Sequence, residues 1–216
     1  MALRARTTTQ KPTPAREPLN IFFLGDLGAG KATQSALLAK KYNLAVIDMG
    51  VEQELQRRQD PKIDAIFRRS VDVGVMNPTK IYRKLVTNAI RRVPKAQGII
   101  FAGHPKMPDE VRYVARFMQK MGRTRIISLY VTIPWKETLR RNTQRKGYFG
   151  DKKRADDSLE AIKKRRHFSQ ANLVKSQPIY KSLYPFKKIS GMGTVKEVSL
   201  KVSLAVETLL KKLDAN

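Results

Sequence analysis

Apolar positions in this chain fall into short solid runs separated by longer amphipathic stretches. Residues 21–24, 44–49, 98–102 and 125–133 are such runs, and 187–189 is a shorter one. Runs of this length, bounded by Gly, Pro or charged residues, predict buried strands. Between them apolar residues recur three and four apart, the spacing of one helix face. Helices are predicted over 32–39, 51–58, 63–70, 77–91, 108–121, 135–145, 157–176 and 194–213. Asn77 is the expected cap of the fourth, with Pro78 at its first position, and Asp157 the expected cap of the long seventh. Gly50 is expected to end the second strand. Strands alternating with helices predict an α/β fold, a parallel sheet covered on both faces. Ligands in such folds sit at the carboxyl ends of the strands.

The first strand runs into the stretch with the most pointed chemistry, IFFLGDLGAGKATQ over residues 21–34. A strand, a glycine turn spaced G-x-x-x-x-G-K and a helix start make a phosphate cradle. Gly25, Gly28 and Gly30 let backbone N–H groups approach an anion, and the first helical turn adds its unpaired donors and dipole. Lys31 stands where an ammonium can reach the outer phosphates. Ala32 takes the place of the usual Ser or Thr, and Thr33 offers a hydroxyl one residue later. Asp26 puts a negative charge beside the anion site, which is unfavourable unless it points to solvent. The turns at Gly25, Gly50 and Gly103 each follow a strand, so they are expected to face one crevice.

Charge adds a second theme. The 216 residues carry 44 Lys and Arg against 18 Asp and Glu, a net charge of +26. A nucleotide pocket uses only a handful of those cations. The excess points to a polyanion such as RNA or a ribosome, or else to a plain solvated face. Residues 116–154 hold 12 Lys and Arg against Glu137 and Asp151. Residues 1–20 form a basic, hydroxyl-rich extension whose only acid is Glu17. It suits an organelle-targeting segment, a basic arm on nucleic acid or a simple tail. There is no cysteine, so disulfides and thiolate metal sites are excluded, and His104 and His167 alone do not make a zinc site. No apolar run is long enough for a membrane span.

Several landmarks come in an order that resembles a known family. GDLGAGKATQ is similar to the phosphate loop G-x-P-G-x-G-K-G-T-Q. VIDMG stands in the place of I-S-T-G-D, and IIFAGHPK in that of I-L-D-G-F-P-R. VTIPWKETLRRNTQR is similar to a segment bearing two phosphate-binding arginines. KRADDSLEAIKKR resembles R-x-D-D-x-x-E-x-I-x-x-R, and SGMGTVKEV a glycine turn before the last helix. From residue 21 to about 210 the chain resembles the adenylate kinases and the wider nucleoside monophosphate kinase family.

The resemblance implies a P-loop three-layer α/β/α domain over 21–216, with a small helical acceptor subdomain at 50–75 and a short lid at 146–153. It implies ATP with Mg2+ as phosphoryl donor and a nucleoside monophosphate as acceptor. Lys31 would hold the β- and γ-phosphates. Gly25, Gly28, Ala29, Gly30, Ala32 and Thr33 would line the donor phosphates, with the Thr33 hydroxyl near the metal. Arg141, Arg145, Arg154 and Arg165 would clamp the transferred group, and Gly193 would meet the adenine of ATP. On the acceptor side the matching positions are Gly50, Arg57, Gly103, Lys106 and Glu110.

Departures from the family pattern gather on that acceptor side. Ala102 stands in place of an aspartate that orders the metal's water shell. Met49, Val51, Glu54, His104 and Lys106 replace threonine, aspartate, arginine, phenylalanine and arginine. Glu110 replaces a glutamine, and its carboxylate would suit the N–H donors of guanine better than adenine. Two readings follow: an ATP-dependent nucleoside monophosphate kinase, or a weak or inactive protein of the same fold bound to RNA or a ribosome. A monomer in the cytoplasm or mitochondrial matrix, with no secretory signal, is expected.

Overall fold

The computed structural model describes residues 17–73, 78–143 and 159–215. Most of the basic extension, Asn77, Arg145, the lid at 146–153, Arg154 and Asp157 lie outside the described residues. Five strands form one sheet: β1 (Asn20–Gly25), β2 (Leu44–Ile47), β3 (Gly98–Ala102), β4 (Ile126–Thr132) and β5 (Phe186–Ser190). Their order is β2-β3-β1-β4-β5, and every neighbouring pair is parallel. The helices are α1 (Lys31–Tyr42), α2 (Met49–Gln59), α3 (Pro61–Arg69), α4 (Thr79–Arg92), α5 (Pro108–Lys120), α6 (Trp135–Thr143), α7 (Leu159–Leu183) and α8 (Val195–Asp214). This is the parallel sheet covered on both faces that the alternating pattern predicts, and the P-loop α/β/α arrangement that the resemblance implies.

Alternation along β1 divides the core in two. Phe22 and Leu24 pack with residues of α4, α5 and α7, including Val86, Val114 and Tyr180. Ile21 and Phe23 pack on the opposite face with Leu38 of α1 and Val202 and Val206 of α8. All four β1 side chains are fully buried, so burial on both faces explains a strand without polar alternation. Each such side chain contributes about 1.5–3 kcal/mol of apolar transfer free energy, which places β1 at the centre of both cores.

Several boundaries differ from the sequence reading, and three of them have a clear cause. β2 ends at Ile47 rather than Met49, because Asp48 caps the next helix, its Oδ1 accepting from the Gly50 N–H at 2.8 Å. Gly50 therefore lies in the first turn of α2 and does not terminate the strand. α3 begins at Pro61, two residues early, since the Asp60 carboxylate accepts from the N–H groups of Lys62 and Ile63. α7 runs to Leu183, past the expected end and through Pro178. Tertiary bonds hold that extension: Ser176 donates to the Lys106 carbonyl at 2.6 Å and Tyr180 to the Pro105 carbonyl at 2.8 Å. With both side chains fully buried, packing overrides the local penalty of the proline.

Candidate active site

The glycine loop leaves β1 at Gly25 and enters α1 at Lys31. Gly30 is the N-cap with φ of 81°, a left-handed conformation that glycine adopts without strain. α1 has no acidic residue in its first turn and no side-chain cap. The amides of Lys31, Ala32 and Thr33 thus begin the helix without an intrahelical acceptor, the arrangement that binds phosphate. Ala29 turns its amide inward along the loop. Its amide donates to the Asp26 carbonyl at 3.2 Å and its side chain is buried, so it braces the loop from behind.

Asp26 resolves the concern over a negative charge beside the anion site in another way than by facing solvent. Its carboxylate accepts from the Tyr130 hydroxyl at 2.6 Å, the Thr132 hydroxyl at 2.8 Å and the Ile133 N–H at 2.9 Å. Three donors from the end of β4 hold this charge behind the phosphate loop. The same bonds, with burial as the larger cause, raise the Tyr130 phenol well above its usual range.

Lys31 donates to the carbonyls of Gly25 at 3.0 Å and Asp26 at 2.7 Å. Burial and the neighbouring Lys106 cation lower its pKa to about 7, against the opposing pull of Asp26 and Asp48; Arg165 adds a further repulsion. Lys106, Arg165, Asp26 and Asp48 therefore all lie within electrostatic reach of one ammonium. Gly103 has φ of 81°, and a Cβ there would come 2.7 Å from Lys31 Cε. A side chain at 103 would displace the lysine.

Arg141 bridges two parts of the donor side. Its guanidinium donates to the Gly191 carbonyl at 3.1 Å and weakly to the Gly28 carbonyl at 3.4 Å, while Glu137 accepts from its Nε at 2.5 Å. Gly191 and Gly193 form the turn before α8, whose start is fixed by Thr194 and Glu197 in a reciprocal cap. Gln34 of α1 donates to the Val195 carbonyl at 3.0 Å and ties that turn to the phosphate loop. Arg166 stacks on Trp135 with its guanidinium carbon 4.3 Å from the ring centre, joining α7 to α6.

The acceptor-side positions behave differently. Lys106 lowers the Lys31 pKa through its charge. Arg57 does not face the crevice as an open cation. It pairs with Asp72 at 2.9 Å and Asp64 at 3.1 Å, and lies over the Phe67 ring. It is the hub that binds α2, α3 and the short turn Val71–Val73 together. Glu110 is 1% exposed, and its carboxylate accepts from the N–H groups of Lys106 and Met107. That cap on α5 occupies one of its two carboxylate oxygens. Burial raises the Glu110 pKa despite those bonds.

His104 was expected only as a replacement for phenylalanine. It is buried and takes part in two hydrogen bonds. Its Nε2 lies 3.0 Å from the Ile47 carbonyl, which can only accept, so Nε2 carries the proton. Nδ1 then accepts from the Tyr82 hydroxyl at 3.1 Å. Burial lowers its pKa to about 3, and the ring stays neutral. His104 thereby fixes the end of β2 against the end of β3.

Comparison with known proteins agrees with this geometry. The AAA domain family matches residues 24–163. The adenylate kinase of Parabacteroides distasonis is 25% identical over 191 residues, covering 88% of this chain and 99% of the relative. That of Flavobacterium johnsoniae is 25% identical over 194 residues, covering 88% and 100%. That of Leptospira biflexa is 22% identical over 179 residues, covering 83% and 95%. A phosphate loop at the carboxyl edge of a parallel sheet, cations gathered around its lysine and a match across well over half the length agree: the chain belongs to the AAA domain family and is adenylate kinase-like.

Proposed function

We propose that the chain is an ATP-dependent nucleoside monophosphate kinase. The observation that carries this reading is the glycine loop that ends in left-handed Gly30 and starts α1 at Lys31, spanned by Arg141, which donates to the Gly28 and Gly191 carbonyls; Lys106 and Arg165 add their charges to the field at Lys31. Phosphoryl transfer asks for positioning and charge neutralisation, and these are the groups that supply them. A phosphate oxygen of the acceptor attacks the γ-phosphorus of ATP. The bond from that phosphorus to the β–γ bridging oxygen breaks, and ADP leaves with the electron pair. Lys31 and the amides of Gly28, Gly30, Ala32 and Thr33 hold the donor phosphates in line. Arg141 and Arg165, with Arg145 and Arg154, neutralise charge as it shifts to the leaving oxygen. Lys106 holds the acceptor phosphate, as a point charge and not as a guanidinium fork. The glycine turn at Gly193 lies against the adenine of ATP.

Among the described residues no group of three or more His, Cys, Asp or Glu could hold a metal alone. A magnesium ion that arrives on a nucleotide needs only one or two protein oxygens. Thr33 and Asp48 are donors of that kind, so the residues present fit it. Bound there, Mg2+ would supply charge neutralisation between the β- and γ-phosphates.

The test is a transfer assay with ATP-Mg and, in turn, AMP, GMP, CMP and UMP. Turnover with one acceptor that falls by about a thousandfold in Lys31→Ala is the expected result, the scale of losing one preorganised charge-stabilising group. Equal rates in the two proteins would overturn the assignment.

A second reading, contact with RNA or a ribosome, is favoured by one surface. Arg83 and Arg91 lie over Tyr113 and Phe117, whose rings are stacked 6.5 Å apart. Arg112, Arg116 and Lys120 are exposed on the same helix as those rings. Retention of single-stranded RNA with a steep salt dependence, weakened in Arg112→Ala/Arg116→Ala, checks it.

A further inference from the structure

The carboxyl edge of the sheet lacks an acid on β3, where Ala102 ends the strand. The neighbouring strand supplies one. β2 and β3 run parallel in register, with Ile47 opposite Phe101. Asp48 keeps an extended backbone, φ −112° and ψ 114°, before the chain turns into α2. One residue beyond Ile47 is therefore level with Ala102. Side chains of paired residues on parallel strands leave the sheet on one face. Ala102 pairs on its other side with Phe23, which packs on the face covered by α1. Asp48 starts from that same face, towards the helix that begins with Lys31.

Among the described residues, Asp26 and Asp48 are the carboxylates that raise the Lys31 pKa. Asp26 is fully engaged by Tyr130, Thr132 and Ile133. Asp48 commits one oxygen to the Gly50 N–H. Its Oδ2 makes no hydrogen bond or ion pair with the described residues. His104 holds the Ile47 carbonyl, and so the peptide before Asp48, in a buried hydrogen bond. The result is a positioned carboxylate, half committed to a helix cap, with one oxygen left on the sheet face that α1 covers.

We propose that Asp48 is the carboxylate through which this chain holds the water shell of a nucleotide-borne divalent cation, in the place left by Ala102. The proposal rests on the kinase reading above. A helix cap alone would use one oxygen and would work equally well with a neutral residue. Asn caps helices as well as Asp does, so Asp48→Asn removes the charge and keeps the cap.

The measurement is ATP affinity by calorimetry, in excess Mg2+ and again in EDTA, with melting of each protein in the absence of nucleotide. In the wild type Mg2+ is expected to tighten ATP binding. In Asp48→Asn that gain shrinks by about tenfold, the usual effect of losing a positioned outer ligand, while binding in EDTA and the melting temperature hold. Asp48→Asn/Ala102→Asp, which returns a carboxylate to β3, restores the gain. An unchanged Mg2+ gain in Asp48→Asn, or an equal loss of affinity in Mg2+ and EDTA, overturns the proposal. A wild type that binds ATP in neither condition overturns the kinase reading itself. ATP binding by the wild type with a Mg2+ gain that does not respond to Asp48→Asn overturns only the metal role.

Discussion

Lys31 is an ammonium surrounded by cations and carbonyls, and its lowered pKa of about 7 has a direct consequence for ligand binding. At pH 8 most of the Lys31 amine is neutral in the free protein, and incoming phosphates draw a proton onto it. At pH 6 the proton is already present. Calorimetry in buffers of different ionisation enthalpy should therefore show proton uptake on ATP binding at pH 8 and little at pH 6. His104 makes the complementary case. Its folded pKa of about 3 lies below the ordinary 6.5, so the unfolded chain binds a proton that the folded one refuses. Stability from this group is complete above pH 6.5 and falls as the pH drops towards 3, by about 1.4 kcal/mol per pH unit at most. His104→Phe should flatten that acid slope in denaturation curves measured between pH 4 and 7. At pH 7 it should cost about 1–3 kcal/mol, since the Tyr82 hydroxyl and Ile47 carbonyl lose their partner.

Among the elements, strands and helices were legible wherever apolar spacing and local caps agreed. β3 over 98–102 was read to the residue, because Gly98 and Gly103 bound a solid apolar run. The start of α2 was not. Asp48 sits in an apolar run and looks like strand until its side chain is seen to accept from Gly50. The far end of α7 was hidden for a different reason. Pro178 is a helix-ending signal, and the bonds that defeat it reach a loop about seventy residues earlier in the chain. Arg57 belongs to the same class, since its partners Asp64 and Asp72 lie on other elements. Replacing it by methionine should loosen α2 and α3 by about 1–2 kcal/mol, the worth of a partly exposed ion-pair network. Hydrogen exchange is expected to quicken there and to stay unchanged in β1 and β4.

At the scale of the whole molecule, the geometry of the glycine loop was legible because one continuous stretch carries it. Gly25 to Thr33 brings its strand, turn, lysine and helix start together in sequence. What stayed hidden depends on strand order. Asp26 is restrained by β4, about a hundred residues away, and Asp48 gains its meaning only from lying next to β3. No periodicity along one segment reports such neighbours. The long helix α7 draws these parts together. It bears Arg165 near the phosphate lysine, and eleven residues later Ser176 grips the loop of Lys106. Eleven residues are close to three full turns, so both lie on one line of the helix about 16 Å apart. The helix thus acts as a phased spacer between a donor-side and an acceptor-side cation. One extra residue inserted after Gln170 would rotate Arg165 by about 100° relative to Ser176. On the kinase reading, transfer should then collapse while the anchored end of α7 still melts with the core: the angular phase of that helix would matter as much as the identity of the residues it carries.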